Sequence, residues 1–289
     1  MSKIHICIIG MGLIGGSLGL ALKEASYDQF NITAVDNNPQ SLKIAVERGA
    51  ADQICTEPSQ GVRKADIVFI CTPVLQIVPI VEQILPFLKK ETIITDVGST
   101  KEYLAEKINA ILPAGISYVG GHPMAGREQS GIEAADKTLF RNKWYIFIPE
   151  VSTSLQALKA VTHIIEYTGA NITTMKVKEH DRCAAVISHV PHVAAASMVN
   201  LLDFSHDADE SLKLAGGGFR DTTRIASSNA DMWADICLTN GAAITDGLED
   251  LRSLLAQVIL DIERGNRQAI HDFFSVAKKR RDALLNMSL

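Results

Sequence analysis

Six residues near the N-terminus, Gly10-Met11-Gly12-Leu13-Ile14-Gly15, constrain this chain more than any other stretch. They set a G-x-G-x-x-G spacing between an apolar run, Ile4 to Ile9, and a helical pattern that begins near Leu13. A strand–turn–helix unit uses all three glycines. Gly10 permits the tight turn, Gly12 leaves room for a pyrophosphate, and Gly15 lets helix and strand pack closely. The N-terminus of the helix then offers free N–H donors and the positive end of its dipole to phosphate. Asp36 lies 21 residues beyond Gly15, at the end of a second β-branched run. A carboxylate there accepts ribose hydroxyls and repels a 2′-phosphate, and Asn37 and Asn38 bring no charge to offset that repulsion. The expected cofactor is NAD rather than NADP, held by Gly10, Gly12, Leu13, Ile14, Gly15 and Asp36.

The rest of the first half alternates short β-branched runs with helical patterns, the signature of a parallel α/β sheet. Strands are predicted at Ile32 to Val35, Asp66 to Ile70, Thr92 to Asp96, Ile116 to Val119, Trp144 to Ile148 and Asn171 to Met175, with a helix from about Ser154 to Thr168. Beyond about residue 176 the strand signals stop. Helical patterns follow over roughly 177–203, 231–243, 244–264 and 267–286, with Gly265-Asn266 ending one helix and capping the next. The expected architecture is an N-terminal Rossmann-type doubly wound parallel sheet over residues 1–174. An all-α domain over 175–289 follows it.

Composition narrows the function. A length of 289 residues with 47% hydrophobic content supports substantial cores. The net charge of −5, with basic residues scattered, argues against a nucleic-acid partner. Five cysteines with no C-x-x-C pair read as reduced, cytoplasmic thiols, with neither disulfide framework nor zinc site. Ile6 to Leu22 is apolar enough to resemble a signal peptide or membrane span. Its five glycines and the lack of a small-residue cleavage site make it a buried strand, turn and helix instead, so no membrane partner is expected.

Ligands of doubly wound sheets bind beyond the carboxyl ends of the strands. That rule brings together Thr72-Pro73, Ser99-Thr100 and His122, each directly after a predicted strand. Turn chemistry explains Thr72 and Pro73 equally well, and Ser99 could simply cap the helix before Lys101-Glu102. His122 sits in Gly120-Gly121-His122-Pro123-Met124-Ala125-Gly126-Arg127-Glu128-Gln129-Ser130-Gly131. An imidazole beside a nicotinamide can accept a hydroxyl proton while hydride leaves the same carbon.

His189 and His192 share one face of a helix that Pro191 should kink. They could line a ligand pocket, ligate zinc, or be buried structural groups, and no third metal ligand is evident. Gly216-Gly217-Gly218 breaks the helical run before Arg220 and Arg224, two arginines four apart that can address carboxylates bidentately or pair with Asp221. Trp233 and Glu128 are weaker candidates.

Taken together, these segments resemble the prephenate dehydrogenase family of tyrosine biosynthesis, which includes arogenate and cyclohexadienyl dehydrogenases. The matching pieces are GMGLIGGS at 10–17, DVGST at 96–100, GGHPMAGREQSG at 120–131, SHVPH at 188–192, GGGFRDTTRIA at 216–226 and SSNADMW at 227–233. The resemblance implies NAD-dependent oxidative decarboxylation of prephenate to 4-hydroxyphenylpyruvate, with arogenate as the alternative substrate. It implies that His122 takes the ring hydroxyl proton and Ser99 orients that pair. Arg224 would bind the ring carboxylate, His192 and Arg220 would line the pocket, and Glu128 would help gate it, with His189 a further substrate-binding candidate from its place on the kinked helix. Trp233 would reach in from the partner subunit of a homodimer built by the helical domain.

The chain is expected to have room for neither a fused chorismate mutase nor an appended ACT domain, so feedback by tyrosine would act at the active site or dimer interface. A β-hydroxyacid or imine reductase, and a non-catalytic NAD sensor, are the rival readings.

Overall fold

The computed structural model describes residues 3–26, 29–127 and 129–286. Its sheet begins with β1 (Ile4–Ile9), α1 (Leu13–Ala25), β2 (Phe30–Val35) and α2 (Pro39–Glu47). Asn38 caps α2 through its side chain, and Pro39 opens it with a preset φ. There follow β3 (Gln53–Cys55), α3 (Pro58–Gly61), β4 (Ile67–Ile70), α4 (Val74–Ile84), β5 (Ile93–Asp96), α5 (Glu102–Ile111), β6 (Ser117–Pro123), β7 (Trp144–Ile148), α6 (Leu155–Glu166) and β8 (Asn171–Thr174). The central strands are buried on both faces, which is why they read as continuous apolar runs rather than alternating ones.

The strand order is β3-β2-β1-β4-β5-β6-β7-β8. The expected Rossmann-type, doubly wound sheet is therefore what the chain forms, with two departures. β3 was not anticipated: it is a three-residue edge strand, and its mostly exposed Gln-Ile-Cys carries no period. β7 runs antiparallel to β6, with Gly120 opposite Ile148 and His122 opposite Ile146. Pairing with β7 draws Gly120 to Pro123 into regular strand. His122 thus lies within β6 rather than in a loop after it.

Beyond β8 the described residues form helices only. α7 (Val177–Ala184) runs into a π-helical turn, Ala185–His189, and on into α8 (Val190–Asn200). Pro191 lacks the N–H that a regular turn requires, and the widened turn directly before it accommodates that loss. α9 (Ala208–Lys213), α10 (Gly217–Thr223), α11 (Ala230–Thr239), α12 (Gly241–Glu263) and α13 (Arg267–Asn286) complete the chain. Gly216 caps α10, and the next two glycines start that helix instead of forming a break. Gly265, with φ +61°, separates α12 from α13 as its sequence position implied.

The α1 contact with the sheet makes a sharp mutational distinction. A Cβ on Gly15 would lie 2.0 Å from the Gly10 carbonyl oxygen, whereas a Cβ on Gly12 meets nothing within 4 Å. Gly15→Ala is expected to lose about 1–3 kcal/mol or more from overpacking. Gly12→Ala should leave stability within about 0.5 kcal/mol of the parent. Urea denaturation midpoints of the two variants check this contrast.

Candidate active site

The glycine turn opens at the carboxyl end of the sheet. Gly10 has φ +95°, and a Cβ there would clash with the Cys71 carbonyl at 2.7 Å. Asp36 accepts from the backbone N–H of Met11 at 2.6 Å and of Asn38 at 2.8 Å. Its two oxygens carry about four lone-pair sites, so it can also accept ribose hydroxyls. The first-turn N–H groups of α1, including those of Leu13 and Ile14, have no intrahelical acceptor. Thr72 leaves a buried Oγ1 without a hydrogen-bond partner beside Gly10. Pro73 follows as the exposed N-cap residue of α4. Open space at Gly12, free helix donors, a carboxylate and an orphaned hydroxyl together fit a dinucleotide.

Beneath the neighbouring strand ends lies a buried polar hub. Asp96, at the end of β5, pairs with Lys101, accepts from Tyr118 Oη at 2.7 Å and from Gly98 N at 2.8 Å, and is fully buried. Lys101 Nζ also donates to the Gly121 carbonyl at 2.7 Å, directly before His122. Burial pulls the Lys101 pKa down, and Asp96 opposes that pull. The Tyr118 phenol is raised well above its ordinary value, first by burial and then by Asp96.

His122 is 8% exposed on β6. Its Nδ1 lies 2.8 Å from Nε2 of His180 on α7, and His180 Nδ1 lies 2.8 Å from Asp181 Oδ1. Asp181 also accepts from the backbone N–H groups of Lys101 at 2.8 Å and Glu102 at 2.9 Å, capping α5 from the helical part of the chain. The Asp181 carbonyl accepts from Asn240 Nδ2 at 2.9 Å, and the same amide nitrogen reaches His189 Nδ1 at 3.1 Å. That amide nitrogen faces a carbonyl, so it donates to both. His189 Nδ1 is therefore the acceptor and Nε2 carries the proton. His189 Nε2 is buried without a partner, as is Trp233 Nε1. Trp233 stacks on His192 with ring centroids 3.8 Å apart and lies 6.0 Å from the His189 ring.

The sequence-derived candidates separate accordingly. His122, His189, His192 and Trp233 are brought into one chain of contacts. Trp233 stacks on His192 of the same chain, where α11 meets the π turn through Ala185 and Ile236. Ser99 makes no hydrogen bond to His122 among the described residues and does not cap α5. His180 holds the imidazole, and Asp181 takes the cap. Arg220 and Arg224 are exposed on α10 and the turn after it, which pack against α8. Arg220 Nε donates to the Ala215 carbonyl at 3.2 Å. Glu128 lies outside the described residues.

His180, Asp181, Lys101, Asp96 and Asn240 were not anticipated. An adjacent His-Asp pair opening the helix that joins the two halves was the available signal for the first two. For Asn240 there was none.

A Rossmann-type sheet with a fitting dinucleotide turn, facing a buried histidine cluster on a helical domain, defines a two-domain nucleotide-dependent dehydrogenase. The prephenate dehydrogenase nucleotide-binding domain model matches residues 18–174, and the prephenate dehydrogenase dimerization domain model matches 176–276. The chain belongs to the prephenate dehydrogenase family. It is 37% identical over 284 residues to prephenate dehydrogenase of Bacillus subtilis, covering 98% of this chain and 76% of that protein. It is 36% identical to the Lactococcus lactis prephenate dehydrogenase, covering 96% and 77%. A crystal structure of prephenate dehydrogenase from A. aeolicus with hydroxyphenyl propionate and NAD+ superposes with TM-score 0.92 at 31% identity, covering 98% and 99%. A 3-hydroxyisobutyrate dehydrogenase from Salmonella typhimurium, at TM-score 0.58 and 13% identity, shares the fold alone.

The buried imidazoles set a pH dependence of stability. Burial is the largest cause lowering the pKa of His122 well below the ordinary histidine value, with His180, Lys101 and His189 adding to it. Burial likewise brings His189 down to about 4, partly opposed by Asp181 and reinforced by His180 and His192. Below about pH 6.5 the unfolded chain binds protons that these folded histidines refuse, so stability is full above that pH and is lost as pH falls. The urea midpoint should fall between about pH 6.5 and pH 4, and His189→Gln should flatten that fall.

Proposed function

We propose that this chain oxidises and decarboxylates prephenate to 4-hydroxyphenylpyruvate with NAD, residues 1–174 holding the cofactor and 175–289 the substrate. The observation that carries this reading is the buried His122, at the carboxyl end of the sheet and joined to the His189–Trp233–His192 cluster. The relatives at 36–37% identity, both prephenate dehydrogenases, support prephenate over arogenate.

Bound NAD supplies the acceptor for the hydride that leaves the hydroxyl-bearing ring carbon. Gly12 and the N-terminus of α1 receive its pyrophosphate, and Asp36 receives its adenosine ribose, which excludes a 2′-phosphate. Thr72, with Pro73 beside it, offers the buried hydroxyl at the mouth of the turn. His122 takes the ring hydroxyl proton at Nε2, and its burial keeps it neutral and ready to accept. Ser99 contacts the same hydroxyl or the cofactor, a reading supported by its position just after β5. Arg224 pairs with the ring carboxylate, which leaves as carbon dioxide. Arg220, His192 and the unpartnered N–H donors of His189 and Trp233 bind the remaining acceptors, and Glu128 takes the gating role. Aromatisation drives the step, so positioning and charge neutralisation are the main demands on the protein.

A homodimer and a cytoplasmic location belong to the same reading. The helical stretch Val177–Phe204 is long and apolar enough to cross a membrane by length and composition. His180, Asp181 and His189 within it are buried against the site, while Val186, Ile187 and Leu201 are exposed. A second copy is the fitting cover for these side chains and for the exposed Leu254, Ile259 and Phe274 of α12 and α13.

Steady-state reduction of NAD and NADP, with prephenate and arogenate side by side, tests the assignment. Turnover of NAD with prephenate is expected, and none with prephenate would overturn it. His122→Asn should retain binding and lose about 10²–10⁴-fold in kcat. Arg224→Ala should raise the KM for prephenate by the loss of a charge-assisted contact, about 2–5 kcal/mol, with NAD affinity unchanged. Calorimetric titration with NAD and initial-rate kinetics read both outcomes.

A further inference from the structure

We infer that His180, backed by Asp181, is a positioning residue that holds His122 in the tautomer with the proton on Nδ1 and the lone pair on Nε2. The inference rests on the reading of His122 as the base.

The geometry leaves little freedom. Asp181 is buried and its carboxylate can only accept. Its two oxygens already receive two backbone N–H groups at the start of α5, which fixes its position. His180 Nδ1, 2.8 Å from that carboxylate, must therefore carry its proton. In the neutral ring, Nε2 of His180 is then an acceptor, and among the described residues the group facing it at hydrogen-bond distance is His122 Nδ1 at 2.8 Å. His122 Nδ1 must donate. Its remaining nitrogen, Nε2, is bare.

That is the form a general base requires, and the two-ring chain enforces it without a carboxylate next to the base. A carboxylate touching His122 would put a full charge in the pocket that receives an anionic substrate. The intervening imidazole carries the orientation and keeps the charge one ring away, where the start of α5 absorbs it. In the reaction the ring hydroxyl proton passes to His122 Nε2. The imidazolium so formed keeps its Nδ1–H bond to His180, and no proton moves to Asp181.

The chain also has a mechanical consequence. α7 supplies both His180 and the cap of α5, so the base can be aligned only when the helical part is seated on the sheet. A histidine on β6 is thereby made dependent on residues that follow it by 58 positions.

The test combines ring-nitrogen NMR with substitutions at His180. In 15N-histidine-labelled wild-type protein, His122 should show a protonated Nδ1 and an unprotonated Nε2. A protonated Nε2 there would overturn the inference, whatever the substrate proves to be. His180→Phe removes the acceptor but leaves Asp181 satisfied by its backbone donors. It should lower kcat about 10²–10⁴-fold with KM for NAD and prephenate within about threefold, the loss expected for a base in the wrong tautomer. His180→Gln, whose amide oxygen can occupy the Nε2 position, should restore a large part of that loss and the Nδ1–H signal. A merely structural role predicts equal effects of Phe and Gln, with the loss in melting temperature rather than in kcat. A kcat for His180→Phe within a few-fold of wild type would also overturn the inference. Failure of wild type to turn over prephenate instead counts against the base assignment, while the NMR result still decides the tautomer.

Discussion

The carboxylate of Asp181 joins the two halves of this chain. It accepts the first N–H groups of α5, which belong to the sheet, and the Nδ1–H of His180, which belongs to the helical part. Its main-chain oxygen receives Asn240 from the start of α12. A buried carboxylate is tolerated only where several donors replace water, and here the donors come from the start of α5 and from α7. Seating α7 on the sheet and satisfying Asp181 are one event. A second buried hub lies alongside, where Asp96 and Lys101 lock β5 to β6. His122 sits between the two, fixed from below through Gly121 and from the side through His180.

The polar groups of the site include both satisfied and unsatisfied atoms. Asp36, Asp96, Asp181 and Asn240 have each found donors or acceptors among backbone or side chains. The unpartnered buried atoms include Thr72 Oγ1 by the glycine turn, and His189 Nε2 and Trp233 Nε1 by the histidine cluster. A buried donor without an acceptor costs about 1–3 kcal/mol. Leaving two together beside a stacked histidine is an expense that a bound ligand with several acceptor oxygens would offset. Burial of three imidazoles within reach of one another acts in the same direction, since it keeps the base neutral.

Much of the scaffold was legible in the residues. The G-x-G-x-x-G turn, the acid after β2, Pro39 at the start of α2 and the Gly265 break are local signals, governed by φ preferences and by contacts a few residues apart. They could be read without knowing the fold. β3 escaped because three exposed residues carry no period, and the reversal of β7 escaped because direction leaves no mark on an apolar strand. Ser99 illustrates the other kind of miss. It has the right residue type to cap α5, yet the cap comes from Asp181, 79 residues beyond the Glu102 N–H that it accepts. Competition between a local hydroxyl and a distant carboxylate is decided by packing.

By itself the sequence determined the order of most elements, the glycine turn with the acid after β2, and the identity of the candidate base. These follow from backbone sterics, hydrophobic period and the chemistry of single side chains. Only the tertiary structure decided what surrounds that base. The contact of His122 with His180, the stacking of Trp233 on His192 within one chain and the hydrogen-bond partners of each ring arise from helices folded back onto the sheet. The physical reason is distance. Hydrogen-bond partners of a buried imidazole are chosen within about 3 Å of space, and no spacing in the chain encodes which distant residue will arrive there.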